Sequence, residues 1–209
     1  MPDKRIDLTR RRASRFGTLL SPLSLKLSQL SSGKLTLAAL GVFVLFMILV
    51  LPAQAEVSRG QSSGAGSPDA SFIYSADDIY GWAEAYGADG RDAYVRARWS
   101  FDLVWPLVYG FFLVTAISWV GRRAYLAKSR ANLLNLVPVA AVLLDYSENV
   151  LTSIVMLRYP SETVIAASLA SPVTVVKWLG VGGSFTVLLA GLLVWTWRLL
   201  RGGASTPRD

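Results

Sequence analysis

The 209-residue chain contains no cysteine and no histidine. The first absence excludes disulfides, thiolate nucleophiles, Cys-ligated zinc and iron–sulfur clusters. The second excludes Ser-His-Asp catalysis, His-ligated haem and His-metal sites. Charge is also scarce: 17% of residues carry it, against about 25% in an ordinary soluble domain. What the chain does have is apolar residues, 53% of the total, gathered into long uninterrupted runs.

A membrane helix needs about 20 mostly apolar residues, each adding about 1.5 Å across a hydrocarbon core roughly 30 Å thick. Four stretches qualify: Leu35 to Pro52, Phe101 to Val120, Leu133 to Leu157 and Val173 to Leu200. The expected fold is therefore all-α, a four-transmembrane-helix bundle. Lys and Arg in short flanking loops set the direction of such helices. Fifteen of the 21 basic residues fall on one side. They are Lys4, Arg5, Arg10, Arg11, Arg12, Arg15, Lys26 and Lys34 before the first span, Arg122, Arg123, Lys128 and Arg130 between the second and third, and Arg198, Arg201 and Arg208 after the fourth. Both termini are thus expected in the cytoplasm, which makes this a multi-pass inner-membrane protein. No interleaving of basic and aromatic residues points to nucleic acid, so the net charge of +7 reads as topology and as contact between the basic tail and anionic lipid. A rival reading of the first span remains open. Ala53-Gln54-Ala55 before Glu56 is an A-x-A cleavage pattern, although the apolar run exceeds the usual 7–15 residues of a signal and favours a retained anchor.

The segments outside the spans divide the chain further. Residues 1–34 form a basic cytoplasmic tail, with Met1 to Arg15 expected to be disordered. Phe16, Leu19, Leu20, Leu23, Leu27 and Leu30 follow helical spacing, which suits a short helix on the inner leaflet. Residues 35–53 are the first span, and residues 54–73 read as a Gly/Ser-rich linker. Residues 74–200 hold an extracytoplasmic helical hairpin and three spans, and residues 201–209 a second cytoplasmic tail. The hairpin starts at a capping box, Ser75-Ala76-Asp77-Asp78, is broken at Gly87 and at Asp89-Gly90, and resumes near Arg91. Its Tyr and Trp residues suit either an interfacial aromatic belt or a lid. Pro160-Ser161-Glu162 is expected to open another short interfacial helix that Ser171-Pro172 ends.

The third span carries the informative pattern. Asp145, Glu148, Asn149 and Thr152 stand at i, i+3, i+4 and i+7 and share one face. The stripe continues through Ala141, Pro138 and Asn135, all small or polar. An Asp at the centre of a span costs roughly 2.5–3.5 kcal/mol on insertion scales, while each Leu, Ile, Val or Phe returns only about 0.3–0.6. This face should therefore meet protein. In the second span Asp102, Trp105, Pro106 and Tyr109 share a face. In the fourth, Lys177 aligns with Gly180 and Ser184, a small-xxx-small pair that permits close helix approach, and Gly191 falls near it. Asp102 lies at the outer end of its span and Lys177 about 6 Å inside its own, with Glu148 about 14 Å and Asp145 about 18 Å in. Arg96 and Arg98 stand at the mouth. Two acids so close repel unless Lys177 or Arg98 reaches them.

Asp102-x-x-x-Pro106-x-x-Tyr109, Asp145-x-x-Glu148-Asn149 and Gly90-Arg91-x-x-Tyr94 resemble the short motifs of a family of uncharacterised small bacterial four-helix integral membrane proteins. The likeness covers roughly Tyr74 to Leu200. It implies the four-helix architecture and the importance of those positions; the family carries no established activity, so it implies nothing about chemistry.

Three functions compete. Intramembrane ionisable groups mark functional sites by default, which favours a module binding a small amphiphile, lipid headgroup or cation. Its candidate residues are Arg98, Asp102, Tyr109, Asp145, Glu148, Asn149, Thr152 and Lys177. A membrane enzyme would use Glu148 as general acid and Asp145 as base; no phosphate loop, nucleophile set or metal motif accompanies them, and nothing calls for a cofactor. A structural or accessory subunit would use the same cluster only to fix helix packing. Alternating access is not expected of four spans without an inverted repeat, unless a homodimer supplies the second half.

Overall fold

The structure, a computed structural model, describes residues 20–61, 64–124 and 130–202. The described residues are helices and short connections, with no strand among them. Residues 20–30 form α1. Then come α2 (Gly33–Leu45), α3 (Leu51–Gln61), α4 (Ala76–Arg98), α5 (Phe101–Ala124), α6 (Val137–Arg158) and α7 (Val164–Gly202). Among the described residues four segments are long and apolar enough to cross a membrane: Gly33–Gly60, Ala76–Ala124, Leu133–Arg158 and Val164–Arg201. These four apolar helices suggest a membrane protein. Leu37, Ile48, Leu107, Leu143 and Leu193 are all more than half exposed, a surface suited to acyl chains rather than water.

Local chemistry explains the helix limits. Ser32 caps α2 by accepting from the Leu35 amide at 3.2 Å. The expected capping box opens α4. Ser75 Oγ accepts from the Asp78 amide at 3.1 Å, and Asp78 Oδ2 accepts from the Ser75 amide at 2.7 Å. The Ser75 amide and, next, the Ser75 hydroxyl, which also donates to Asp78 Oδ2 at 2.8 Å, hold the exposed Asp78 carboxyl below its ordinary value. Between α2 and α3 the helix widens into a π-type turn, Phe46–Val50. Pro52 follows at once; it has no amide proton and its ring crowds the preceding turn.

Three expectations are corrected. Helix α3 runs through Gln61, into the segment read as a linker. Pro52 sits in its first turn, where a missing amide donor costs little. The hairpin helix is interrupted only at Gly87, whose φ of 65° lies in the left-handed region open to glycine; Asp89 and Gly90 are helical. The short helix expected between Pro160 and Pro172 is the first part of α7, which runs 39 residues straight through Pro172. A proline removes one helix hydrogen bond. Here Ala166, Ala167 and Ala170, just before it, are buried in one apolar cluster with Ile79, Ala83, Val155 and Met156, and that packing holds the helix in line. The expected disordered segment, residues 1–15, lies outside the described residues.

α5 is central. Of the most apolar stretch of Ala76–Ala124, 61% is buried, against 11% for the α2–α3 rod and for α7, so those two are peripheral. α5 packs on α2, α6 and α7, and α6 pairs most extensively with α7. Small residues set the spacing. A Cβ on Gly180 would stand 3.2 Å from Ala141 Cβ, and one on Gly110 would come within 2.5 Å of Val142 Cγ2. The bundle has two distinct ends. At the hairpin end, α4 packs over α6 and α7. At the tail end, α1 turns Ser24 and Ser28 inward, with Ser31 just beyond it, and leaves Leu20, Leu23 and Leu30 exposed. Arg122 holds the carbonyls of Ser28 and Ser31. Asn135 donates to Ser24 O at 3.0 Å and to Ser118 Oγ at 2.9 Å.

Candidate functional site

The polar stripe faces inward along its whole length: Asn135, in the turn Arg130–Leu136 just before α6, and Pro138, Ala141, Asp145, Glu148, Asn149 and Thr152 of α6 are all buried. Helical periodicity places them on one face, and α5 and α7 cover it. From the hairpin end the charges follow one another into the bundle. Asp69 pairs with Arg98. Arg98 Nε then pairs with Asp102 Oδ2 at 2.9 Å, one helical turn on. Asp145 Oδ2 accepts from the Tyr109 hydroxyl at 2.9 Å, and its Oδ1 lies 3.9 Å from Lys177 Nζ. Lys177 pairs more closely with Glu148, whose other oxygen accepts from Thr174 Oγ1 at 2.6 Å.

The candidate residues separate into two sets. Arg98, Asp102, Tyr109, Asp145 and Lys177 line a cavity of about 810 Å³. Glu148, Asn149 and Thr152 stand off its wall. Glu148 is locked between Lys177 and Thr174. Asn149 donates to the Asp102 carbonyl at 3.3 Å, and Thr152 donates to the Glu148 carbonyl at 2.9 Å. Arg96, expected at the mouth beside Arg98, is exposed and is not on the wall of the cavity.

The cavity is amphipathic. Its polar wall is the ion-pair line. Its apolar wall comes from Phe43 and Met47 of the α2–α3 rod, Trp105 of α5 and Trp178, Val181 and Phe185 of α7. Phe43 stacks on Trp105 with centroids 5.8 Å apart, and Trp105 meets Tyr109 edge-on at 5.7 Å. Tyr86 and Tyr94 of the hairpin roof it. The hairpin is tied down by Tyr74, whose amide donates to Ser171 Oγ at 3.2 Å and whose hydroxyl lies 3.0 Å from Thr174 Oγ1. The Tyr80 hydroxyl accepts from the Thr163 amide at 2.7 Å.

Two members escape the sequence pattern. Asp69 sits in a short turn, Pro68–Ala70, whose Ser67 side chain accepts from the Ala70 amide; a Gly/Ser-rich stretch gives no periodicity to flag it. Thr174 had a signal, since it stands three residues before Lys177 on the same face of α7.

Fold and site together define a class: a bundle of four long apolar helices with a line of ion pairs set into one end and an amphipathic cavity beside it. No family model matches this chain, and no curated protein or solved structure matches it.

Proposed function

We propose that this chain is a multi-pass inner-membrane protein that binds a small amphiphile within its bundle. The polar group of the ligand sits against Asp102, Asp145 and Tyr109, and its apolar part lies along Phe43, Val181 and Phe185. The observation carrying this reading is the cavity of about 810 Å³ that joins those two walls. Its size falls within the roughly 300–1,000 Å³ of small-molecule sites. The distribution of Lys and Arg supports cytoplasmic termini, with the basic tail on anionic lipid and the cavity in the outer half of the bilayer beneath the hairpin. The likeness of the Asp102 and Asp145 motifs to those of the uncharacterised four-helix family bears on the four-helix architecture and on the importance of those positions alone.

A structural clasp is the second reading, and one observation favours it for part of the cluster. Glu148 is 1% exposed and satisfied by Lys177 and Thr174, so it fixes α6 against α7. No comparable observation favours acid–base catalysis by Asp145 and Glu148, because Glu148 does not line the cavity. Native mass spectrometry of the purified full chain, with analysis of its lipid extract, tests binding. A small amphiphile retained by the wild type and lost from a folded Asp145→Asn variant is the expected result. Equal retention by both proteins, or none by either, contradicts it.

A further inference from the structure

We infer, building on the amphiphile reading, that the ligand is a bilayer lipid from the leaflet on the hairpin side, and that it enters sideways, through the seam between α2 and α7. The course of the cavity carries the inference. Along the α2–α3 rod its wall runs from Arg59 down to Phe43, about 24 Å at the rise of a helix. The wall changes character on the way: Arg59, Ser58 and Gln54 come first, then Leu51, Met47 and Phe43. α7 repeats the order, with Lys177 ahead of Val181 and Phe185. Both elements therefore turn polar groups toward the hairpin end and apolar ones toward the middle of the bundle. That is the order of head and chain in a lipid of that leaflet. A lipid bound here keeps its own depth, and its head meets polar partners in place of the water it gives up.

The apolar foot of the cavity is closed on one side and loose on the other. Phe43 stacks on Phe112 and Trp105 with centroids 5.0 and 5.8 Å apart, and Phe46 stacks on Trp105 at 6.1 Å, so aromatic rings tie the rod to α5. Toward α7, Phe43 meets Phe185 at 6.1 Å with the rings tilted by 46°, and the rod and α7 are not an extensively packed pair. They are the two peripheral elements, so the seam between them faces the surroundings of the bundle. Met47, Trp178 and Phe185, which line the foot, are 45%, 42% and 39% exposed. The π-type turn Phe46–Val50 lies at this level of the rod, and such turns recur at functional sites.

At the other end Ala55 and Arg59 line the cavity and are exposed, which brings its polar part within reach of water. A lipid so placed has its head toward water and its chain running out through the seam into the bilayer.

Lipid exchange read by native mass spectrometry tests the inference. The full chain has no cysteine of its own, so Phe43→Cys and Phe185→Cys together give a pair that a short bis-methanethiosulfonate bridges across the seam. Protein loaded in vesicles of phosphatidylethanolamine and phosphatidylglycerol is moved, bridged or unbridged, into vesicles of the same lipids with deuterated chains. The molecule scored is the one lost from Asp145→Asn or, where that variant fails to fold, from Val181→Trp, which fills the apolar foot. A Met47→Cys and Trp178→Cys pair serves if the first pair loses the lipid before bridging. The expected result is that the unbridged protein takes up deuterated lipid, that the bridged protein does so at least ten-fold more slowly, and that reducing the bridge restores exchange. If bridged and unbridged proteins exchange alike, the lateral route is refuted and the amphiphile site stands. If the retained molecule is not a lipid of the vesicles, the lipid is refuted and the site again stands. A wild type that retains nothing overturns both readings.

Discussion

The two ends of this bundle bury polar groups in opposite ways. At the tail end the buried polar atoms are neutral or belong to the main chain, and the one cation that binds them, Arg122, is itself exposed: Asn135 and Arg122 hold the carbonyls of Ser24, Ser28 and Ser31. The space among Ser28, Ser118 and Asn135 is about 10 Å³, room for roughly one water. At the hairpin end six ionisable side chains are set beside a cavity of about 810 Å³. A bundle that needs only register can obtain it with the tail-end device, because membrane hydrogen bonds average about 0.6 kcal/mol and suffice as clasps. The hairpin end is the costlier, which is why the ligand is proposed there, and substitutions can break or sharpen the contrast.

The largest effect is expected from Lys177→Met. It leaves Glu148 and Asp145 without their shared cation, and removing one partner of a buried pair costs about 3–5 kcal/mol. Thermal unfolding followed by circular dichroism should show a large loss, most of it recovered when Glu148→Gln is added. If the single variant is as stable as the wild type, the ion-pair line does not exist as described.

Next comes Gly110→Leu. Even a Cβ there would come within 2.5 Å of Val142 Cγ2, and overpacking of this kind costs about 1–3 kcal/mol. Val142→Ala in the same chain should restore part of the loss. A fully stable Gly110→Leu protein would show that α5 and α6 are not in close approach.

Asn135→Ala sharpens the comparison from the other side. Losing its bonds to Ser24 O and Ser118 Oγ should cost about 1 kcal/mol and speed proteolysis within α1, while amphiphile binding stays unchanged. A loss of binding would mean that the two ends are not independent.

The smallest effect belongs to the hairpin cap. Asp78 is held below its ordinary value of 3.8. Its contribution is therefore complete above that pH and is lost as pH falls through the lower, folded value. Protection factors of the first amides of α4, which allow for the slower intrinsic exchange in acid, should fall in acid in the wild type. In Asp78→Asn they should already be low at neutral pH, and unchanged protection there would remove the capping box from the account.

Much of this was legible in the sequence, for identifiable reasons. Helical spacing alone put Asp145, Glu148, Asn149 and Thr152 on one face, and insertion cost alone turned that face inward. Lys177 followed from its alignment with Gly180 and Ser184. The capping box at Ser75 was readable because its two bonds join residues three apart. What stayed hidden depends on the third dimension. The partnership of Asp69 with Arg98 crosses 29 positions and starts from a turn with no period. The continuity of α7 through Pro172 depends on packing against α4 and α6, which outweighs a local signal to stop. The separation of cavity-lining Asp145 from locked Glu148 needed coordinates, since spacing gives both residues the same face.

The absence of cysteine allows the central claim, an open amphipathic cavity inside the apolar bundle, to be tested directly. Trp105→Cys places a thiol on the cavity wall, and Leu107→Cys places one on the same helix at a position 57% exposed on its outer surface. Both full-length variants in liposomes are treated with a charged, water-soluble methanethiosulfonate. The account predicts rapid modification of Trp105→Cys and little modification of Leu107→Cys. Modification of Leu107→Cys with protection of Trp105→Cys would contradict it.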